Sequence, residues 1–217
     1  MKRFLWVFIS GTLFLIALGV FVLFQFQLSS NFKLARQRAM LIASNSALSV
    51  SADEVFSVPL EQTAEGSAEY LVVYRKLLLI KETNPCVKYA YIMAATSQPG
   101  ILQYVVDADP VPQIITAKCP TSLPGDKYDA RQFSEMLNAF NGPSADKKIT
   151  SDEWGVFISG YAPIYDAGGK SVAILGIDTD AVFMQVMQER ARVSGRVALF
   201  AGVLFIILLA ATSAKNQ

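Results

Sequence analysis

The sequence predicts an α+β domain built on a small antiparallel sheet and flanked by two transmembrane helices. Three observations predict it. Long apolar segments stand near both ends of the chain. The roughly 170 residues between them suffice for one domain with its own core. Within that region a helix-period segment precedes two pairs of short alternating stretches, each pair joined by turn residues.

The chain opens MKR and then runs without a charge from Phe4 to Phe26, long enough for a hydrocarbon core that needs about 20 residues. A signal peptide has a shorter apolar region and a small-residue cleavage site, whereas FQFQLSSNF follows here, so an uncleaved anchor is expected. The second segment, Val197 to Ala214, is apolar all round and has no polar face to show water. The expected layout is residues 1–3 cytoplasmic, 4–26 spanning, 27–196 outside, 197–214 spanning and 215–217 a cytoplasmic stub. Lys2 and Arg3 favour an inside N-terminus. Arg190, Arg192 and Arg196 would then lie outside, so the charge rule is not cleanly obeyed.

Composition agrees with lipid contact. Of 217 residues 53% are hydrophobic, above the about 45–50% of soluble domains. The net charge of +1 gives no field for nucleic acid. There is no histidine, which excludes Ser-His-Asp triads, Cys-His dyads and Cys/His zinc sites. Cys86 and Cys119 both lie in the middle region, where an oxidising compartment permits a disulfide and a reducing one leaves two thiols.

From Asn31 the residues Phe32, Ala35, Ala39, Ile42 and Ala43 recur on one side at helical spacing, so a helix continues beyond the apolar segment. Leu34, Leu41 and Leu48 also recur every seventh residue. Arg38 and Asn45 occupy the complementary seam, which argues for core packing over a coiled coil. SADEVFSVPLEQTAEG reads as a loop. Ser67 can cap a helix that stops before Pro85, with Tyr70, Val73, Tyr74, Leu77 and Ile80 as its apolar face.

KYAYIMAAT and ILQYVVDAD, separated by SQPG, read as a hairpin. The Pro-, Gly-, Asp- and Ser-rich region from Pro110 to Ser151 is an excursion with one helical candidate, ARQFSEMLNAF. GVFISGYAPIYD and KSVAILGID then make a second hairpin across DAGGK. A helix from Asp180 leads into the second apolar segment.

Strand alternation selects the candidate site. Tyr91 and Met93 share a face of the first strand and Tyr104 lies on the second, where core packing explains them as well as a ligand does. In the third, Phe157, Ser159 and Tyr161 share a face able to hydrogen-bond a ligand, and Trp154 can wall an apolar pocket. Asp178 closes the row Val172, Ile174, Gly176. It can accept from a ligand's ammonium or hydroxyl, or cap the exit helix. Asp107 and Asp109 precede Pro110 and read as turn formers. Asp152 and Glu153 are adjacent and point apart, so they make no acid/base pair. No spaced carboxylate loop of the calcium kind occurs, and neither metal nor cofactor is expected.

NPCVKYAYIMAAT, ILQYVVDADP, LPGDKYDA and DEWGVFISGYAPIYDAGGKSVAILGID, in that order, resemble the single Cache (extracellular PAS-like) sensor domains of bacterial histidine kinases, diguanylate cyclases and chemoreceptors, over about residues 31 to 192. The resemblance implies a PAS-like sheet that holds a small organic ligand such as an amino acid or carboxylate, with the long N-terminal helix along its back. It further implies a homodimer in the bacterial inner (plasma) membrane, the sensor domain in the periplasm or outside, and relay through the second transmembrane helix. The chain itself would not be an enzyme. An output kinase, cyclase or chemotaxis module is expected beyond Gln217. The alternative is a membrane-anchored protein-interaction or dimerisation module whose pocket is filled by its own side chains.

Overall fold

The computed structural model describes residues 2–108, 122–152 and 155–214. The chain divides into two compact units, Met1–Lys33 with Phe183–Gln217, and Leu34–Val182. Helix α1 (Lys2–Ala47) is continuous from the first unit into the second. Then come α2 (Ala52–Ser57), a short 3-10 turn and α3 (Ala68–Thr83), followed by strands β1 (Val87–Ala95), β2 (Ile101–Asp107) and β3 (Lys127–Asp129). Helix α4 (Ser134–Asn138), β4 (Ser144–Ala145), β5 (Thr150–Asp152), β6 (Gly155–Tyr165), β7 (Ser171–Asp180) and α5 (Val182–Ala214) complete the order.

The first unit contains the N-terminal part of α1 and nearly all of α5. One helix near the N-terminus, Phe14–Ala47, is long and apolar enough by length and composition to cross a membrane among the described residues. Gly195 and Gly202 of α5 face the Phe21 and Phe14 rings of α1. The Gln25 amide donates to the Ala191 carbonyl at 3.3 Å.

The second unit is an antiparallel sheet of seven strands in the order β3-β2-β1-β7-β6-β4, with β5 also on β6. Both expected hairpins are present, β1 with β2 and β6 with β7. Because successive side chains point to opposite faces, each central strand feeds two cores. Ile92, Ala162, Leu175 and Ile177 pack with α3 residues Tyr70, Val73, Leu77 and Ile80 and with Ala43 and Ala47 of α1. Tyr91, Met93, Tyr161 and Ile174 face the other way, among Tyr104, Met136 and Ala139.

Local signals explain the helix ends. Ser67 Oγ accepts from the Tyr70 N–H at 3.1 Å and starts α3, and the helix stops two residues before Pro85. The stretch after Ser51, expected as loop, contains α2. Ser51 and Glu54 form a reciprocal capping box, whose S-x-x-E spacing satisfies two otherwise orphaned N–H groups. Lys76 of α3 pairs with Glu54 at 2.6 Å and holds that carboxyl below its usual range. The helical candidate ARQFSEMLNAF begins only at Ser134 and tightens to a 3-10 turn at Ala139–Asn141. The exit helix begins at Val182, not at Asp180, because β7 extends through Asp180.

On α1 the buried face is Ala39, Ala43 and Ala47. Small side chains let the helix lie close to β6: a Cβ added at Gly160 would overlap the backbone of Ala39 and Met40. The leucine stripe does not join the core, since Leu34, Leu41 and Leu48 are exposed, Leu48 by 87%.

Gly160→Ala therefore forces helix and strand apart and costs about 1–3 kcal/mol of stability, read as a lower denaturation midpoint of the chain in micelles. An unchanged midpoint would mean that α1 does not rest on β6.

Candidate functional site

The sheet register builds the site. On one face, cross-strand partners make a row of Asp107 (β2), Tyr91 (β1), Gly176 (β7), Tyr161 (β6) and Ser144 (β4). Beside it runs a second row of Tyr89, Asp178 and Ser159. Gly176 sits between two tyrosines, and the Tyr91 ring occupies the space that a Cβ there would need. The ring thereby brings its hydroxyl to Asp178 Oδ1, to which it donates at 3.1 Å.

Of the seven residues selected from sequence, Tyr91, Met93, Tyr104, Ser159, Tyr161 and Asp178 line one cavity. Trp154 lies outside the described residues. So does Cys119, and with it the choice between a disulfide to Cys86 and two thiols; Cys86 is exposed. Between the two roles open to Asp178, geometry separates the residues. Asp178 lies within β7 on the cavity face, and it is Asp180 whose Oδ1 accepts from the Val182 N–H at 3.0 Å at the start of α5.

Other residues complete the wall. Tyr89, Asp107, Tyr128, Phe133 and Phe157 line the same cavity. Asp107, which sequence alone reads as a turn former, is a buried strand residue. Its backbone carbonyl accepts from the Tyr70 hydroxyl of α3 at 3.1 Å. The rings interlock edge to face or stacked: Tyr91 with Tyr104 at 6.0 Å, Tyr104 with Tyr128 at 6.2 Å, Tyr128 with Phe133 at 5.7 Å. Such pairs exceed their area burial by about 0.5–1.5 kcal/mol each. The cavity they enclose is about 30 Å³, room for a water or two.

Behind this wall lies Asp146, 4% exposed, which no sequence motif indicates. Its Oδ1 accepts from the Tyr161 hydroxyl at 3.1 Å, and its Oδ2 accepts from the Ser159 N–H at 3.1 Å and Thr150 Oγ1 at 3.2 Å. Burial pushes its pKa up against these bonds, which pull it down. Burial and the Asp178 charge hold Tyr91 well above the usual tyrosine range, and burial and the Asp146 charge do the same for Tyr161. Both hydroxyls stay protonated and act as donors.

The cavity's electrostatics are one-sided. Asp107 and Asp178 line it, Asp146 backs it, and no Lys or Arg is among its described lining residues. Lys88 Nζ stands 5.2 Å from the Tyr89 ring centre and 5.3 Å from that of Phe157, at the edge where those two rings meet. Among the described residues no cluster of three metal-ligating side chains occurs.

Solved structures similar to this chain include sensor domains. The sensor domain of the Vibrio cholerae histidine kinase DctB matches at a TM-score of 0.53 and 13% identity, over 82% of this chain and 59% of that one. At this identity the likeness is one of fold, which in this chain is a long helix and an antiparallel sheet. This is the Cache, PAS-like fold. The sensory domain of the Campylobacter jejuni chemoreceptor Tlp3 matches at 0.46 and 13% identity, over 78% and 61% of the two chains. The E. coli DcuS sensor domain matches at 0.43 and 13%, over 73% and 97%. The chain thus spans about 60% of the length of the DctB and Tlp3 domains. No family model and no curated protein matches the sequence.

In this Cache fold the raised pKa of Asp146 gives a pH signature. The folded state holds the proton more tightly than the unfolded one, so this residue's contribution to stability grows as pH falls from the raised value toward the ordinary 3.8 and shrinks as pH rises. Denaturation of wild type and Asp146→Asn across that window should show wild type gaining on the variant with acidification. A constant difference would contradict the buried, proton-binding carboxylate.

Proposed function

We propose that the chain is the ligand-sensing input region of a bacterial transmembrane receptor, and that the ligand is a small amino acid or amine seated in the aromatic cavity. The observation that carries this is the carboxylate pair lining a tyrosine cage. Asp107 and Asp178 offer counter-charges to an ammonium group, and aromatic faces attract the same cation. A dicarboxylate would instead bring more negative charge beside buried carboxylates. An amino acid's own carboxylate would turn to Lys88 at the Tyr89–Phe157 edge.

In this reading residues 27–196, which contain the sheet unit, stand in the periplasm or outside. The apolar segments 4–26 and 197–214 span the inner membrane, and the chain works as a homodimer with an output module elsewhere in the receptor. Because the rings nearly fill the cavity, a ligand of several heavy atoms enters only if Tyr91, Tyr104 or Tyr161 turns. Such a ligand binds one packing of the sheet better than the other, which is the condition for signalling.

The interaction-module reading has its own support in the small cavity and in the exposed Leu34, Leu41 and Leu48. Leu48 also lines an apolar groove with Val50, Pro143 and Tyr165.

A thermal-shift screen of the full chain in micelles against amino acids, primary and quaternary amines and dicarboxylates separates the readings. Ammonium compounds should stabilise the protein, by about 2.7 kcal/mol at a hundredfold excess over Kd. Asp178→Asn should weaken that binding at least about tenfold, since a charge-assisted bond is lost. Stabilisation by dicarboxylates alone would overturn the ligand class, and none by any compound would favour the interaction module.

A further inference from the structure

The cavity wall and the long helix are separated by a single strand. In β6, Ser159 and Tyr161 face the cavity, and Gly160 between them lies on the α1 backbone at Ala39 and Met40. A second connection runs beside the first. Tyr161 donates to Asp146, and the carbonyls of Ala145 and Asp146 accept from Arg36 of α1, Nη2 to Ala145 at 2.9 Å and Nε to Asp146. Asp146 is therefore held on its side-chain end by the cavity wall and on its main-chain end by the helix.

We propose that α1, and not the exit helix alone, reads the cavity, with Asp146 and Arg36 as the positioning residues that tie the Tyr161 hydroxyl to the helix. The inference rests on the sensing role for its biological meaning, but the mechanical coupling holds with or without a ligand. A side chain that turns to admit a ligand must release or drag the Tyr161–Asp146 bond. Asp146 also carries the Ser159 N–H and Thr150 hydroxyl, so the displacement is shared by β4, β5 and β6. Arg36 is bonded to main-chain carbonyls, so it follows the strand itself. At Gly160 there is no side chain to cushion the movement. Helix α3 meets the site elsewhere, through Tyr70 on the Asp107 carbonyl and Lys81, which donates to the Ala108 carbonyl at 3.3 Å and stands 5.8 Å from the Tyr89 ring centre.

Hydrogen exchange of the full chain in lipid nanodiscs tests the coupling without any ligand. Tyr161→Phe removes one hydroxyl from the cavity wall and keeps the ring. Amides in residues 34–47 should then exchange about fivefold faster, the equivalent of one modest hydrogen bond, while those in 68–83 keep their wild-type rates. Asp146→Asn, which keeps one acceptor oxygen, should fall between wild type and Asp146→Ala. Tyr70→Phe should loosen 68–83 and leave 34–47 unchanged. Wild-type exchange of 34–47 in Tyr161→Phe, or equal acceleration of both helices, would overturn the proposal. A failed ligand screen together with selective loosening of α1 would remove the sensing role and leave the coupling standing.

Discussion

A carboxylate taken out of water must be protonated or bonded on every side, and Asp146 meets that requirement by recruiting the groups that define the site. Tyr161, Ser159 and Thr150 are all turned toward it. Its position on the short edge of the sheet is in turn fixed by Arg36. The direction of the Tyr161 ring, the pairing of β4 and β5 with β6 and the seat of α1 on Gly160 are consequences of one satisfied acid. Asp178 plays a parallel part for Tyr91, with Gly176 clearing the space. Each of the two central tyrosines thus has its own carboxylate.

This arrangement makes the site negative, aromatic and nearly full. Fullness argues against a rigid lock for a ligand and for a two-state wall, because close-packed side chains rearrange in steps, not continuously. The same face is backed by two helices held differently. Helix α3 is packed by Val73, Leu77 and Ile80 over a broad apolar area, while α1 meets the sheet mainly through alanines against Gly160 of β6, with the half-buried Ile42 and one arginine. A thin contact of small residues and polar ties is better suited to register a change at Tyr161 than a thick apolar layer is.

Much of this was legible from local pattern. Alternation alone put Phe157, Ser159 and Tyr161 on one face and Tyr91 with Met93 on another, and the register shows these faces to be one. The helix faces of α1 and α3 followed from 3.6-residue spacing. Asp146 was not legible. It stands in GPSADKK, whose composition reads as turn, directly after a strand of two residues, Ser144 and Ala145, whose partners Tyr161 and Gly160 lie seventeen and fifteen positions further along. Asp107 was misread for a related reason: the nearby Pro110 suggested a turn, whereas its pairing with Tyr91 keeps it in the sheet. The capping box at Ser51 was readable from its spacing, but the surrounding Pro and Gly residues outweighed it.

The bond on which the account depends is the one from Tyr161 to Asp146, and a double-mutant cycle measures it directly. Stability of wild type, Tyr161→Phe, Asp146→Ala and the double variant should give a coupling energy of about 1–3 kcal/mol, as for a buried hydrogen bond to a charged group. Additive effects, with a coupling near zero, would show that the hydroxyl and the carboxylate do not act together and would contradict the account.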